Sequence, residues 1–231
     1  MTMTPNLDFQ NVSLALCLTV CATLSYFTVK SPNPPPKNPY PKDRLAKKMA
    51  TVHWRRYALM SLWCYHILLT LFPENRSSFC LNPDLLNKDL FTWSSYTVVF
   101  VIAVLVAAPI RLLCFAQLGE NFTFELAKPK KLIQTGFYRY VQHPSYPPLL
   151  VILTAIFVVV QRPDAAPACF MPSALVRMKG VTAVAGFFMV GLEYYSLAQR
   201  VQDEEEMLRQ EFGKEWEAYS RKTKRFIPGI W

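Results

Sequence analysis

The chain has 231 residues, of which 52% are hydrophobic and 18% charged, and a formal net charge of +9. Soluble domains carry roughly 25% charged residues. Here the apolar residues are gathered into long runs flanked by basic ones, which points away from a soluble fold or a nucleic-acid partner and toward loops on an anionic membrane leaflet.

The first apolar run, Phe9 to Val29, is of a length that crosses roughly 30 Å of hydrocarbon as a helix. No basic segment precedes it, and a lysine-rich, proline-rich stretch comes after it, so it reads as a span rather than a cleaved signal. From Lys30 to Arg56 the prolines favour extended chain. This stretch holds eight bases (Lys30, Lys37, Lys42, Arg44, Lys47, Lys48, Arg55, Arg56) against the single acid Asp43. It is expected to face the cytosol. His53 reads as a surface residue.

The second run, Trp54 to Phe72, stops at Pro73. The loop after it, with two bases and three acids, suits the lumen and contains the sequon Asn75-Arg76-Ser77. His66, inside this run, is expected to be buried and hydrogen-bonded. The third run, Phe91 to Leu118, should kink at Pro109, with Arg111 snorkelling to the interface. The fourth, Pro147 to Gln161, is short and opens on a proline pair suited to a first helical turn. The fifth runs from Gly180 to Gln199. Five spans place the first loop, the central polar stretch and the C-terminal tail in the cytosol, and the N-terminus in the lumen.

Six cysteines, with Cys17, Cys21, Cys64 and Cys114 inside apolar runs, are too few and scattered for a disulfide framework. No CxxC pair occurs and no metal site is expected. The predicted fold is therefore an all-α integral membrane protein of about five transmembrane helices, with a helical hairpin and cytosolic C-terminal helices. Residues 1–118 form N-terminal spans with the basic loop, and residues 119–231 form the region that carries chemistry.

Two polar segments stand out. KKLIQTGFYRYVQHPSY, Lys130 to Tyr146, is rich in aromatics and holds Gly136 and His143. The tail from Arg200 begins RVQDEEEMLRQEFGKEWEAY. There Leu208, Phe212, Trp216 and Tyr219 form an amphipathic stripe, Gly213 is expected to end a helix, and Pro228 to halt any helix beyond it. Arg200 and Glu204 share one helix face. A hairpin of the fourth and fifth spans brings Tyr138, His143 and Tyr146 close to Arg200, Glu204 and Glu205. No GxG loop is present, so a Rossmann nucleotide site is not expected.

The central segment resembles the isoprenylcysteine carboxyl methyltransferase pattern Leu-Val-x-x-Gly-x-Tyr-x-x-x-Arg-His-Pro-x-Tyr-x-Gly. The tail resembles that family's Glu-Glu-x-x-Leu-x-x-x-Phe-Gly-x-x-Tyr-x-x-Tyr element and closing Ile-Pro. The resemblance covers the chain from about Leu118 onward. It implies S-adenosylmethionine as methyl donor and a prenylated C-terminal cysteine, on proteins such as small GTPases, as acceptor. It also implies membrane lipid around a multi-pass protein of the endoplasmic reticulum, with the site facing the cytosol.

Carried over residue by residue, the resemblance places cofactor contacts on Lys130, Lys131, Leu132, Ile133, Tyr138, His143, Pro144, Ser145, Tyr146 and Glu204. It places substrate-carboxylate binding on Arg200, with Arg200 and Glu204 as the catalytic pair. The chain departs from the pattern at Gln142 (an arginine in the family), Pro148 (a glycine) and Trp216 (a tyrosine). Three other readings remain open: a phospholipid N-methyltransferase, which would need a base for its amine; a membrane sterol reductase, which would need a nicotinamide; and a non-catalytic membrane scaffold. Oligomeric state and prenyl-length preference are not readable from the sequence.

Overall fold

In the computed structural model, residues 8–44 and 49–227 are described. Lys47, Lys48 and Pro228 lie outside the described residues. The helices, in chain order, are α1 (Phe9–Thr28), α2 (Met49–Leu71), α3 (Arg76–Phe79) and α4 (Ser95–Leu118). They continue with α5 (Tyr146–Ile156), α6 (Ser173–Arg177), α7 (Lys179–Phe212) and α8 (Lys214–Lys222). No strand forms among the described residues; a single parallel bridge pairs Val141 with Lys224.

The long helices α1, α2, α4, α5 and α7 alternate in direction. At one end Trp93 Nε1 donates to Ser13 Oγ (2.9 Å), beside the start of α1. At the other end Arg111 donates to the carbonyls of Thr28 (2.9 Å) and Ser145 (2.7 Å), tying together the end of α1 and the approach to α5. The snorkelling expected of Arg111 does not occur. It is 3% exposed, because those two carbonyls and the ring of Phe115 receive its guanidinium inside the protein.

The core is built from one face of each helix: Leu14 and Leu18 of α1, Trp63 of α2, Phe100 and Val104 of α4, Ile152 and Ile156 of α5. Ala107 and Ala108 also lie there, and such small residues let neighbouring backbones approach. The opposite face of α4 shows Val99, Ile102, Val106 and Leu113, an apolar surface that in water would be a liability and in lipid is the expected exterior. Ser94 and Thr97 start α4 with a reciprocal capping box, and the helix then continues through Pro109.

Among the described residues, four helices are long and apolar enough to cross a membrane, within Phe9–Thr28, Lys88–Asn121, Tyr146–Cys169 and Lys179–Phe212. The fifth expected span, α2, forms as a helix of 23 residues antiparallel to its neighbours. Arg55, Arg56 and His66 dilute its apolar character. His66 is buried as expected, with Nε2 3.0 Å from the Leu90 carbonyl and its ring stacked on Phe91.

The cysteine expectation needs correction. Cys80 and Cys169 form a disulfide that joins the loop after α2 to the loop after α5. They are 89 residues apart, so spacing carried no signal of the bond. Around it Leu86, Leu90, Phe91, Ala165 and Val176 make a second apolar cluster.

Helix α7 is the least covered element. Only 6% of its apolar window is buried, against 44% for the window in Lys88–Asn121. It approaches the bundle closely at Gly186, where a Cβ would lie 2.5 Å from Phe157 Cζ. It is also held by Arg55 to Glu193 and by Thr154 to Tyr194.

Candidate active site

Between α4 and α5 the chain forms only short turns, yet it is fixed at many points. Gly136 has φ +61, and a Cβ there would fall 2.5 Å from Gln117 Cδ. Glycine is needed for both reasons. The turn lets Phe137 N donate to Gln117 Oε1 (2.9 Å). Residues 137–143 then run beside the tail, where Gln142 N donates to the Lys224 carbonyl (2.8 Å) and His143 N to the Arg225 carbonyl (2.9 Å).

The tail folds as its stripe indicated. Gly213, at φ +49, ends α7 and starts α8. Trp216 and Tyr219 of α8 are buried. Tyr219 Oη donates toward the Tyr138 carbonyl (2.7 Å) and the Val141 carbonyl (3.2 Å). Burial pushes the Tyr219 hydroxyl up to about 12, so it stays a donor at neutral pH.

Gln142, one of the departures from the family pattern, has a structural task. Its Nε2 donates to the carbonyls of Ser220 (3.2 Å) and Thr223 (3.0 Å), closing the C-terminal end of α8.

The two polar segments meet around a cavity of about 90 Å³. Lys131, Leu132, Ile133, Tyr138, His143, Ser145, Tyr146, Arg200 and Glu204 all line it. Tyr146 Oη donates to Glu204 Oε2 at 2.8 Å, a direct link between the two segments at the cavity wall. His143 is 2% exposed, with Nε2 3.3 Å from Glu205 Oε1 and Nδ1 3.8 Å from Glu204 Oε2. Burial raises the Tyr138 phenol far above its ordinary range, so this wall is neutral and aromatic.

Two of the residues singled out in the sequence lie elsewhere. Lys130 points outward, its Nζ 2.7 Å from Glu120 and its backbone N bonded to Asn121 Oδ1. Pro144 lines a second void, an apolar groove of about 540 Å³ between α4 and α5, with Ile102, Val106, Ile110, Phe137, Tyr140, Pro147, Pro148 and Phe226. Residues 137–148 thus form one partition. Tyr138, His143, Ser145 and Tyr146 face the polar cavity, while Phe137, Tyr140, Pro144 and Pro148 face the groove.

Sequence reasoning set Glu205 close to His143 but missed three contacts. Glu205 holds Arg225 through two contacts of 2.8 Å, fastening the tail beside His143. Asp43 accepts from Arg200 Nη1 at 2.7 Å, and Arg200 Nη2 lies 3.4 Å from the Thr123 carbonyl. Asp43 did leave a trace in the sequence, as the lone acid of a basic loop. The Glu205–Arg225 and Arg200–Thr123 contacts left none.

Comparison with known proteins agrees with the resemblance. The model of the isoprenylcysteine carboxyl methyltransferase family matches residues 98–181. A protein-S-isoprenylcysteine O-methyltransferase of Dictyostelium discoideum is 27% identical over 125 residues, 52% of this chain and 44% of the relative. Probable protein-S-isoprenylcysteine O-methyltransferases of Oryza sativa, subspecies indica and japonica, are 27% identical over 154 residues, 65% of this chain and 70% of theirs. The chain therefore spans less than half the length of the Dictyostelium relative. The family match covers α5 and the whole central segment and ends at Val181, before Arg200 and Glu204.

Proposed function

We propose that this protein methylates the C-terminal carboxylate of prenylated cysteine, using S-adenosylmethionine, at the cytosolic face of the endoplasmic reticulum membrane. The observation that carries the reading is the Tyr146–Glu204 contact of 2.8 Å. It closes a polar cavity from two distant segments, each of which resembles its counterpart in the family, with an apolar groove on the far side of the same wall.

The residues present suit the donor chemically. Glu204 offers a carboxylate to an ammonium or ribose hydroxyls. Leu132 and Ile133 offer apolar wall, and Tyr138 and Tyr146 offer π faces to a cation. Ligand sites commonly span roughly 300–1,000 Å³. The cavity of about 90 Å³ is smaller, so admission of the donor requires its walls to open, and the 127–133 stretch is the wall tied down by exposed ion pairs. That wall is held by surface pairs such as Lys130–Glu120 and Lys128–Glu211, which are cheap to break.

When bound, S-adenosylmethionine supplies an electrophilic methyl group. A free C-terminal carboxylate has a pKa of about 3.5 and is already ionised at neutral pH, so no side chain has to act as base. The task left to the protein is placement. Arg200 lines the cavity and presents a guanidinium able to bind carboxylate oxygens. The groove lined by Val106, Ile110 and Pro148 takes the prenyl chain, its apolar walls continuous with the lipid-facing side of α4.

Orientation draws support from the far end. The disulfide Cys80–Cys169 joins two loops opposite the cavity. Disulfides persist in oxidising compartments, which supports a luminal assignment for that end and a cytosolic one for the cavity.

Microsomes carrying the protein are expected to transfer label from methyl-labelled donor to a farnesyl-cysteine analogue. Transfer to phosphatidylethanolamine with none to the cysteine analogue would overturn the assignment in favour of an N-methyltransferase.

A further inference from the structure

The basic loop between α1 and α2 is laid along the cytosolic half of α7. Tyr40 packs on Leu126 and Met207, Lys42 Nζ is 2.6 Å from Glu206, and Arg44 forks Asp203 with contacts of 2.6–3.1 Å. Between those two pairs sits Asp43, 1% exposed. Its Oδ2 accepts from Arg200 Nη1 and from the Leu126 backbone N, each at 2.7 Å. Leu126 is itself fixed, since its carbonyl accepts from Tyr40 N at 2.6 Å. Asp43 is thus a rigidly mounted carboxylate reaching in from the far side of α7, and it does not line the cavity.

Arg200 and Glu204 lie four residues apart on one helix face, a spacing at which opposite charges are within reach of each other. They do not pair here. Glu204 accepts from Tyr146, while the Arg200 guanidinium, which lies beside Tyr146, makes its ion pair with Asp43 and reaches the Thr123 carbonyl.

From this arrangement we infer that Asp43 is a positioning residue, which holds Arg200 off Glu204 so that the cavity keeps a carboxylate bonded to Tyr146 and a separately oriented guanidinium. The inference rests on the proposed methyltransferase reading for what the two groups bind. It gives the first loop a part in the site, beyond anchoring. Without Asp43, Arg200 falls onto Glu204 and the cavity neutralises itself.

The test uses the full-length protein in nanodiscs and the product S-adenosylhomocysteine as probe. Asp43→Asn should weaken its binding by calorimetry about tenfold and lower kcat/KM for a farnesyl-cysteine analogue by more, although Asp43 touches neither ligand. Asp43→Glu should restore part of the loss. Asp203→Asn, which removes the adjacent strap contact, should change binding by less than about threefold.

A double-mutant cycle separates positioning from mere anchoring. In an Arg200→Gln background, Asp43→Asn should have almost no further effect on binding or on the melting temperature, because its effect runs through Arg200. Additive losses, or equal losses from Asp43→Asn and Asp203→Asn, would overturn the inference. Wild-type protein that neither binds the probe nor methylates the analogue would instead sink the methyltransferase reading. The melting-temperature cycle needs no ligand and still decides whether Asp43 and Arg200 act as a unit.

Discussion

The two ends of this bundle are held together by different chemistry. At the end carrying Cys80–Cys169, a covalent bond and a shell of buried leucine, phenylalanine and alanine join the loops. At the other end the connections are ion pairs and hydrogen bonds: Arg200 to Asp43, Tyr146 to Glu204, Arg225 to Glu205, Tyr219 to the Tyr138 carbonyl. A covalent clasp resists opening and offers nothing to a ligand. A network of charged and hydroxyl groups can exchange one partner for another, which is what a binding site requires. Permanence sits at one end and exchangeability at the other.

Substitutions at the two ends should therefore damage different properties. The largest effect is expected from Arg200→Ala, which should abolish turnover while donor binding falls only modestly. Glu204→Ala should do the reverse, weakening S-adenosylhomocysteine binding first. Calorimetry and the methyl-transfer assay together read the pair, and the opposite pattern would mean that their roles are exchanged.

At the other end, Cys80→Ser should cost about 2–4 kcal/mol of stability, seen as a lower melting temperature, with affinity for S-adenosylhomocysteine unchanged. A loss of affinity would show that the two ends are not independent. The smallest change is expected from Gln142→Ala. Loss of its two bonds to the end of α8 should cost about 1 kcal/mol and loosen the tail, detectable as faster amide exchange at His143, whose N–H bonds the Arg225 carbonyl.

Range along the chain decides which features could be read in advance. The helices, the helix end at Gly213, and the stripe of Trp216 and Tyr219 are encoded within a few residues, and they appear where the pattern put them. The meeting of Tyr146 with Glu204 was readable because a hairpin of consecutive helices is a short-range inference. Asp43 to Arg200 spans 157 positions and Cys80 to Cys169 spans 89, and no local pattern encodes either.

Alternation was a further obstacle. Ser145 faces the cavity and Pro144 the groove, and Lys131 lines the cavity while Lys130 points out to Glu120. In irregular chain a resemblance identifies the segment without saying which neighbour turns inward. Arg111 misled for another reason: hydropathy cannot see two backbone carbonyls waiting inside a bundle.

The thin coverage of α7 has a consequence for how an acceptor is found. The helix that bears Arg200 leaves most of its apolar length uncovered by the rest of the described residues. For a lipid-tailed acceptor the search is then two-dimensional, a sweep through the plane of the leaflet. The quantity that fills the site is molecules per unit area of membrane, so diluting the acceptor with inert lipid starves the protein even when the bulk concentration stays constant.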